Sequence, residues 1–280
     1  MEIMKIFAAK AKDNMNEKAP TIAFLGDSVT QGCFEVYRKS DDAIETVYDK
    51  NHAYHNYIAK IFSVLFPTVP VNIINAGISG DSAPHGLERV ERDVLCHKPD
   101  LVVVCYGLND CGGATTERYE AALNGIFEKI KEANAEIIFM TPNMMNTYVD
   151  YSIDDELIKG TAERIAKRQN DGVLEKFLDA AKKVCKKHNV KVCDCYSKWK
   201  RMYENGVDVT NLLSNKINHP TRELNWLFAY SLVEAMMILS NKDIGFCVGC
   251  LPKVFSAGGV VNIDHTVRIC NPGFFIISLG

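Results

Sequence analysis

The stretch Ile22-Ala23-Phe24-Leu25-Gly26-Asp27-Ser28-Val29-Thr30-Gln31-Gly32 decides how this chain reads. An apolar run of strand length ends in a Gly-Asp-Ser-Val corner, past which a helix can begin. That layout puts the Ser28 hydroxyl at the carboxyl edge of a buried strand and beside a helix amino terminus. There, free backbone N–H groups and the helix dipole favour developing negative charge. Gly26 allows a tight turn before the serine. A serine so placed suits nucleophilic attack, provided a base and an oxyanion site come from elsewhere. Asp and Ser also form ordinary helix N-caps, so the corner alone decides nothing.

Outward from this corner, short apolar runs at 21–25, 71–75, 101–106, 136–140 and 190–195 read as strands buried on both faces. Helical patterns lie between them at 53–65, 85–96, 116–133 and 160–188, the last broken near Asn170-Asp171-Gly172, and a final one spans 224–239. Strands alternating with helices of this length imply right-handed crossovers and a parallel, five-stranded α/β sheet. In such a sheet the active groups gather on loops beyond the strands' carboxyl ends. Two further loops leave that same edge: Asn75-Ala76-Gly77-Ile78-Ser79-Gly80-Asp81-Ser82 and Gly107-Leu108-Asn109-Asp110. Gly80 can bring its N–H against a substrate oxygen because no side chain intrudes. Asn109 offers an amide NH2 as a second fixed donor. His219 lies in Asn215-Lys216-Ile217-Asn218-His219-Pro220 ahead of the last helix and is the candidate general base. The other six histidines (52, 55, 85, 97, 188 and 265) lack such a setting.

Four blocks in this order, Gly26-Asp27-Ser28, Gly77-x-x-Gly80-Asp81, Gly107-x-Asn109-Asp110 and His219-Pro220, resemble those of the SGNH (GDSL-type) hydrolases. The resemblance covers roughly residues 21 to 240. It implies a three-layer α/β/α flavodoxin-like fold and hydrolysis of esters or thioesters. Carried over by residue, it implies Ser28 as nucleophile, His219 as base, and an oxyanion hole from the Ser28 N–H, the Gly80 N–H and the Asn109 side chain. The family usually places an aspartate three residues before the histidine, and here that position is Lys216. The imidazole's partner is then a backbone carbonyl, the Asn218 side chain or Asp208 from upstream, or the pair works as a Ser–His dyad. With no carboxylate partner, a Lys216→Asp substitution is expected to raise the pKa of the base.

At 280 residues and 47% hydrophobic content, one large α/β domain over 1–240 accounts for most of the chain. The remainder, 241–280, trades helical pattern for Gly, Pro, Cys and short β-prone runs. It reads as a β-rich extension that packs on the domain or on a second subunit, which leaves a homodimer open. A net charge of -3 gives no electrostatic case for nucleic acid. No apolar run reaches the ~18 residues of a membrane span. Residues 1–11 form a short amphipathic helix rather than a signal peptide, so the cytoplasm is the expected location. The polar segments 31–51 and 143–159 read as loops whose aromatics (Phe34, Tyr37, Tyr48, Tyr148, Tyr151) frame the pocket mouth.

Ten cysteines are scattered and behave as core hydrophobes; Cys193/Cys195 and Cys247/Cys250 form no recognisable zinc pattern. The reading needs no cofactor and no metal. It is a serine ester hydrolase of small acyl groups, with carbohydrate O-acetyl esters as the first substrates to try and lysophospholipase or acyl thioesterase as the nearest rivals. A non-catalytic binding module on the same fold is a second class. A nucleotide-binding role ranks below both, because the first loop has neither Gly-x-Gly-x-x-Gly nor a P-loop lysine.

Overall fold

The strand over 21–26 is apolar at every position except Thr21 because it lies in the middle of a sheet, with another strand on each side. The computed structural model describes residues 1–237; the tail beyond, with the expected 241–280 extension and the Cys247/Cys250 pair, lies outside the described residues. The sheet is all parallel, in the order β4-β1-β5-β6-β7. Its strands are β1 (Thr21–Gly26), β4 (Asn72–Gly77), β5 (Leu101–Cys105), β6 (Glu136–Met140) and β7 (Lys191–Cys193). Taking the five in chain order, this is the 2-1-3-4-5 arrangement of a doubly wound flavodoxin-like sheet, whose switch point lies beside β1. Every residue of β5 is buried, as is β1 after Thr21, which is why they read as the apolar runs Leu-Val-Val-Val-Cys and Ile-Ala-Phe-Leu-Gly.

Two groups of helices flank the sheet. In one, α4 (Ala83–Asp93), α6 (Thr116–Glu132) and α8 (Val173–Lys187) pack side by side. In the other, α3 (Tyr54–Leu65) packs on α10 (Asn225–Met237), with α1 (Glu2–Lys12) beside α10. The expected N-terminal amphipathic helix is α1: Ile3 and Phe7 are fully buried, and the Phe7 ring meets Phe62 of α3 at 4.3 Å between centroids. The expected break after Asn170 separates α7 (Glu156–Asn170) from α8, with Gly172 in the left-handed region. No helix among the described residues is long and apolar enough to cross a membrane.

Two local readings change. The segment 31–51 is not a loop: β2 (Cys33–Arg38) and β3 (Ile44–Tyr48) pair antiparallel as a separate hairpin. Its aromatics divide, since Phe34 is buried while Tyr37 and Tyr48 are about half exposed. A further helix, α9 (Cys195–Glu204), follows β7, capped by the Asp194 side chain on the Ser197 N–H. The sequence pattern carries the strand on to Cys195, the first residue of this helix, and assigns no element to the rest of it.

The carboxyl edge of the sheet is tied by a buried charge. Arg89 of α4 donates to Asp81 Oδ2 from Nε at 2.8 Å and to the carbonyls of Ala76 (2.7 Å) and Gly26 (3.1 Å). Tyr106 Oη donates to the same Asp81 oxygen at 2.8 Å. One guanidinium thus joins the ends of β1 and β4 to the loop after β4, using the planar fork that lysine lacks. Gly77 closes the same corner: a Cβ there would lie 2.2 Å from the Gln31 backbone nitrogen.

Arg89→Met leaves Asp81 buried without its cation and is expected to cost about 3–5 kcal/mol, read from urea denaturation. Gly77→Ala forces the backbone of residues 30–31 away and is expected to destabilise by about 1–3 kcal/mol. An unchanged urea midpoint for either variant contradicts the account of this edge.

Candidate active site

Parallel pairing sets the site's geometry before any side chain is considered. Gly26, the last residue of β1, pairs with Gly77 of β4 on one side and Cys105 of β5 on the other. The loops after these three strands therefore leave the sheet at one level, with the Ser28 corner between the other two. Ser28 is the first residue of α2 (Ser28–Gln31), and Asp27 caps that helix on the Val29 N–H at 3.0 Å. Gly26 does not serve as a turn residue, as the sequence suggested; its φ is not positive. It is glycine because a Cβ would lie 2.2 Å from Thr30 Oγ1 and 2.8 Å from the Cys105 carbonyl. The helix is one turn long, so its macrodipole is small. What it offers at Ser28 is a first-turn N–H with no intrahelical acceptor.

Gly80 has φ +78°, a conformation that favours glycine, and a Cβ there would meet no atom within 4 Å. The side of Gly80 where a Cβ would stand is open space rather than packed protein. Asn109 stands at the start of the short helix α5 (Asp110–Gly113) and donates from Nδ2 to the Asp81 carbonyl at 2.8 Å. That bond engages one amide hydrogen and leaves the second. It also links the loop after β5 to the Gly80 loop. On the opposite side of that loop, the Ser79 N–H donates to Gln31 Oε1 at 2.6 Å.

His219 arrives from the far end of the chain. Nε2 lies 2.9 Å from Ser28 Oγ, and Nδ1 lies 2.8 Å from the Phe34 carbonyl oxygen. A carbonyl only accepts, so Nδ1 carries the hydrogen, and Nε2 of the neutral ring is the acceptor for the Ser28 hydroxyl. The loop holding His219 is locked by its own polar groups. Asn215 Oδ1 accepts from the N–H groups of Ile217, Asn218 and His219. The His219 carbonyl accepts from Ser214 N–H at 2.7 Å, and Asn143 Nδ2 donates to the Asn218 carbonyl at 2.9 Å.

Of the imidazole partners left open by the sequence, the backbone carbonyl is the one in place. Asn218 Oδ1 is taken by Asn215 Nδ2, and Asp208 accepts from the Tyr148 hydroxyl at 2.6 Å. Lys216 has φ +57° and sends its ammonium to Asn211 Oδ1. A backbone oxygen carries no side-chain signature, so nothing in the residue pattern singled out position 34. The clue available was the alternation of 33–38 and 44–48 about Ser40-Asp41-Asp42, which marks a hairpin able to reach the site.

Burial governs the charges. Ser28 and His219 are only 4% and 5% exposed. Burial pushes the His219 pKa down to about 4, against the opposing pull of the Phe34 carbonyl and the Glu35 charge. Asp27, under Ser28, is pushed up to about 7 by burial, and Asp110 and Asp81 raise it further. Asp110 rises to about 6, again through burial. His55 is also buried and packs against the rings of Phe24 and Tyr54, and burial pushes its pKa down to about 4 against the pull of the Thr30 backbone. Among the described residues no group of three or more His, Cys, Asp or Glu could hold a metal ion. Cys193 and Cys195 are free thiols with Sγ atoms 3.8 Å apart. The arrangement has the parts for acyl transfer: a hydroxyl on a neutral imidazole, with N–H donors on the adjoining loops.

Known proteins share this architecture. An acetylxylan esterase of Geobacillus stearothermophilus is 26% identical over 132 residues, covering 43% of this chain and 58% of the relative. Thioesterase 1/protease 1/lysophospholipase L1 of Escherichia coli is 30% identical over 133 residues, 46% of this chain and 54% of the relative. The matches thus span a little over half the length of these curated relatives. The solved structure of the acetylxylan esterase Axe2 from Geobacillus stearothermophilus superposes with a TM-score of 0.58 at 19% identity, over 79% of this chain and 95% of that one, and so shares the fold. The GDSL-like lipase/acylhydrolase pattern runs through residues 24–227, from β1 to the start of α10. This chain belongs to the GDSL-like lipase/acylhydrolase family.

Proposed function

We propose that the protein is a serine carboxylic ester hydrolase of small acyl groups. The observation that carries this reading is the chain of contacts from the Ser28 hydroxyl through His219 to the Phe34 carbonyl. Ser28 Oγ attacks the ester carbonyl carbon while His219 Nε2 takes the hydroxyl proton. The oxyanion so formed accepts hydrogen bonds from the Ser28 N–H, the Gly80 N–H and the second Asn109 amide hydrogen. Collapse breaks the bond to the alcohol, which leaves with the proton from Nε2. A water molecule, deprotonated by the same nitrogen, then cleaves the acyl–enzyme and regenerates Ser28. The Phe34 carbonyl holds the ring in the tautomer that this sequence needs. It stabilises the transient imidazolium by a dipole rather than by a full charge.

Carbohydrate O-acetyl esters are the favoured substrates. Support comes from the acetylxylan esterase among the relatives, and from exposed Tyr37, Tyr48, Tyr148 and Tyr151, side chains suited to stacking on sugar rings. The Escherichia coli relative, whose name includes thioesterase and lysophospholipase, makes lysophospholipids and acyl thioesters the second reading. Rates on acetylated xylo-oligosaccharides, a lysophospholipid and an acyl-CoA, each measured with the same preparation, rank the two.

Ser28→Ala and His219→Ala are each expected to abolish p-nitrophenyl acetate hydrolysis, and Ser28→Ala to prevent labelling by a fluorophosphonate. Asn109→Ala is expected to lower turnover by about 10^2- to 10^3-fold, the usual effect of losing one oxyanion donor. Full activity without the Ser28 hydroxyl refutes the mechanism.

The pH profile supplies a separate check. The base works only when deprotonated, so activity is lost as pH falls through the His219 pKa. With that value near 4, the acidic limb of kcat/KM lies well below the region near 6.5 where an unperturbed histidine titrates. Lys216→Asp is expected to leave this limb in place, contrary to the expectation drawn from the sequence, because the Phe34 carbonyl already occupies Nδ1 and Lys216 faces Asn211. A limb that moves up by a pH unit in that variant shows that a carboxylate at 216 reaches the ring.

A further inference from the structure

The carbonyl that meets His219 belongs to a two-stranded hairpin outside the main sheet, and such a ribbon holds its shape poorly alone. Its pairing is irregular where it matters: the register slips between Cys33 and Val36. That bulge frees the Phe34 carbonyl from the β2–β3 ladder, while Thr46 Oγ1 satisfies the neighbouring Glu35 carbonyl at 3.0 Å. A hydrogen bond of 2.8 Å to a bulge at the base of a detached ribbon needs something to hold the ribbon still.

Arg222, three residues past His219, reaches both strands. Its Nη1 and Nη2 donate to the two Glu35 carboxylate oxygens at 2.6 and 3.1 Å. Its Nε donates to Asp49 Oδ2 at 2.8 Å, just beyond β3, and Asp49 also bonds His52 Nδ1 at 2.7 Å. The guanidinium lies over the Phe34 ring, 4.3 Å from its centroid. One side chain from the histidine loop therefore grips the residue whose carbonyl meets His219, the residue after it, and the end of the partner strand. Bidentate geometry makes this specific to arginine.

We propose that Arg222 is a positioning residue: by clasping Glu35, Asp49 and the Phe34 ring, it holds the Phe34 carbonyl on His219 Nδ1 and so does the orienting work of the absent aspartate. This rests on the hydrolase reading above. The role is mechanical rather than chemical, because Arg222 bonds neither Ser28 nor the imidazole. The ionisable groups around the clasp are Glu35 on β2, Asp49 and His52 between β3 and α3, Tyr57 on α3, and Arg222 and Glu223 ahead of α10.

The test compares Arg222→Gln, Arg222→Lys and Glu35→Gln in the full chain. Each is expected to lower kcat on p-nitrophenyl acetate by about 10- to 100-fold with little change in KM, the scale of effect that a misplacement of about 1 Å produces. Arg222→Lys recovers little, since lysine cannot form the fork. The two charge changes move the base in opposite directions. Removing Arg222 leaves the Glu35 charge unopposed near His219, so the acidic limb moves up; removing the Glu35 charge moves it down. His52→Gln assigns any share of the profile that belongs to His52. NMR of the His219 Nδ1 proton and ring pKa reads the same orientation without turnover. A broadened or upfield-shifted Nδ1 proton in folded variants supports the clasp. An unchanged Nδ1 signal, together with kcat within about twofold of the parent, overturns it. If the parent shows no turnover that Ser28→Ala removes, the hydrolase reading falls, and the NMR comparison still judges the clasp. Should Arg222→Gln fail to fold, Glu35→Gln and Asp49→Asn carry the same comparison.

Discussion

The parallel register of β1 between β4 and β5 is the constraint on which the site depends. Because Gly26 sits opposite Gly77 and Cys105 at once, three loops emerge together, and each needs only a few residues to reach a common point. The constraint has a cost in chemistry. Strand ends carry carbonyls and charged loop residues into a buried corner, and these must find partners there. Arg89 meets that demand by taking the Gly26 and Ala76 carbonyls and the Asp81 carboxylate together. The residue that stabilises the edge is thus also the residue that sets the loop carrying Gly80.

Burial then shapes the electrostatics in one direction. His219 is kept neutral, and Asp27 and Asp110 are pushed toward their protonated forms, because each sits where a charge loses its water. A buried carboxylate beside the imidazole would have countered this by pairing with its charged form. In its place is a carbonyl dipole, which fixes tautomer and orientation but does little to hold a proton on the ring. His219 is consequently less basic than a carboxylate-paired histidine and stays neutral to lower pH. In the proposed mechanism, weaker basicity trades against driving force for proton removal, so more of the rate comes from the oxyanion donors.

The hairpin β2–β3 connects this chemistry to the surface. Phe34 supplies the carbonyl for His219, while Tyr37 and Tyr48 of the same hairpin are about half exposed. A second tie, from Arg38 Nε to Asp155 Oδ2 at 2.8 Å, joins it to the start of α7. One small element therefore carries both the acceptor of His219 and exposed aromatic side chains, and it is tied by Arg222 and by Arg38.

The residue pattern by itself determined the parallel α/β sheet, the five strand positions and the loops bearing Ser28, Gly80, Asn109 and His219. It could do so because strands buried on both faces must be apolar throughout, and turns at their ends draw on a narrow set of residues. Boundaries blurred where that rule weakens: β7 is only three residues long, and the sequence extended it into what is the start of α9. The hairpin was legible in its alternation, yet its polar faces read as loop because neither side is wholly buried. Tertiary structure alone decided the partner of His219. The acceptor is a main-chain oxygen 185 residues away, of a kind every residue carries, and only the bulge at Phe34 turns it toward the ring. For the same reason nothing in the residue pattern singled out Arg222, Glu35 or Asp49. Their meaning lies in distances between segments far apart in the chain, and no spacing within the sequence encodes those distances.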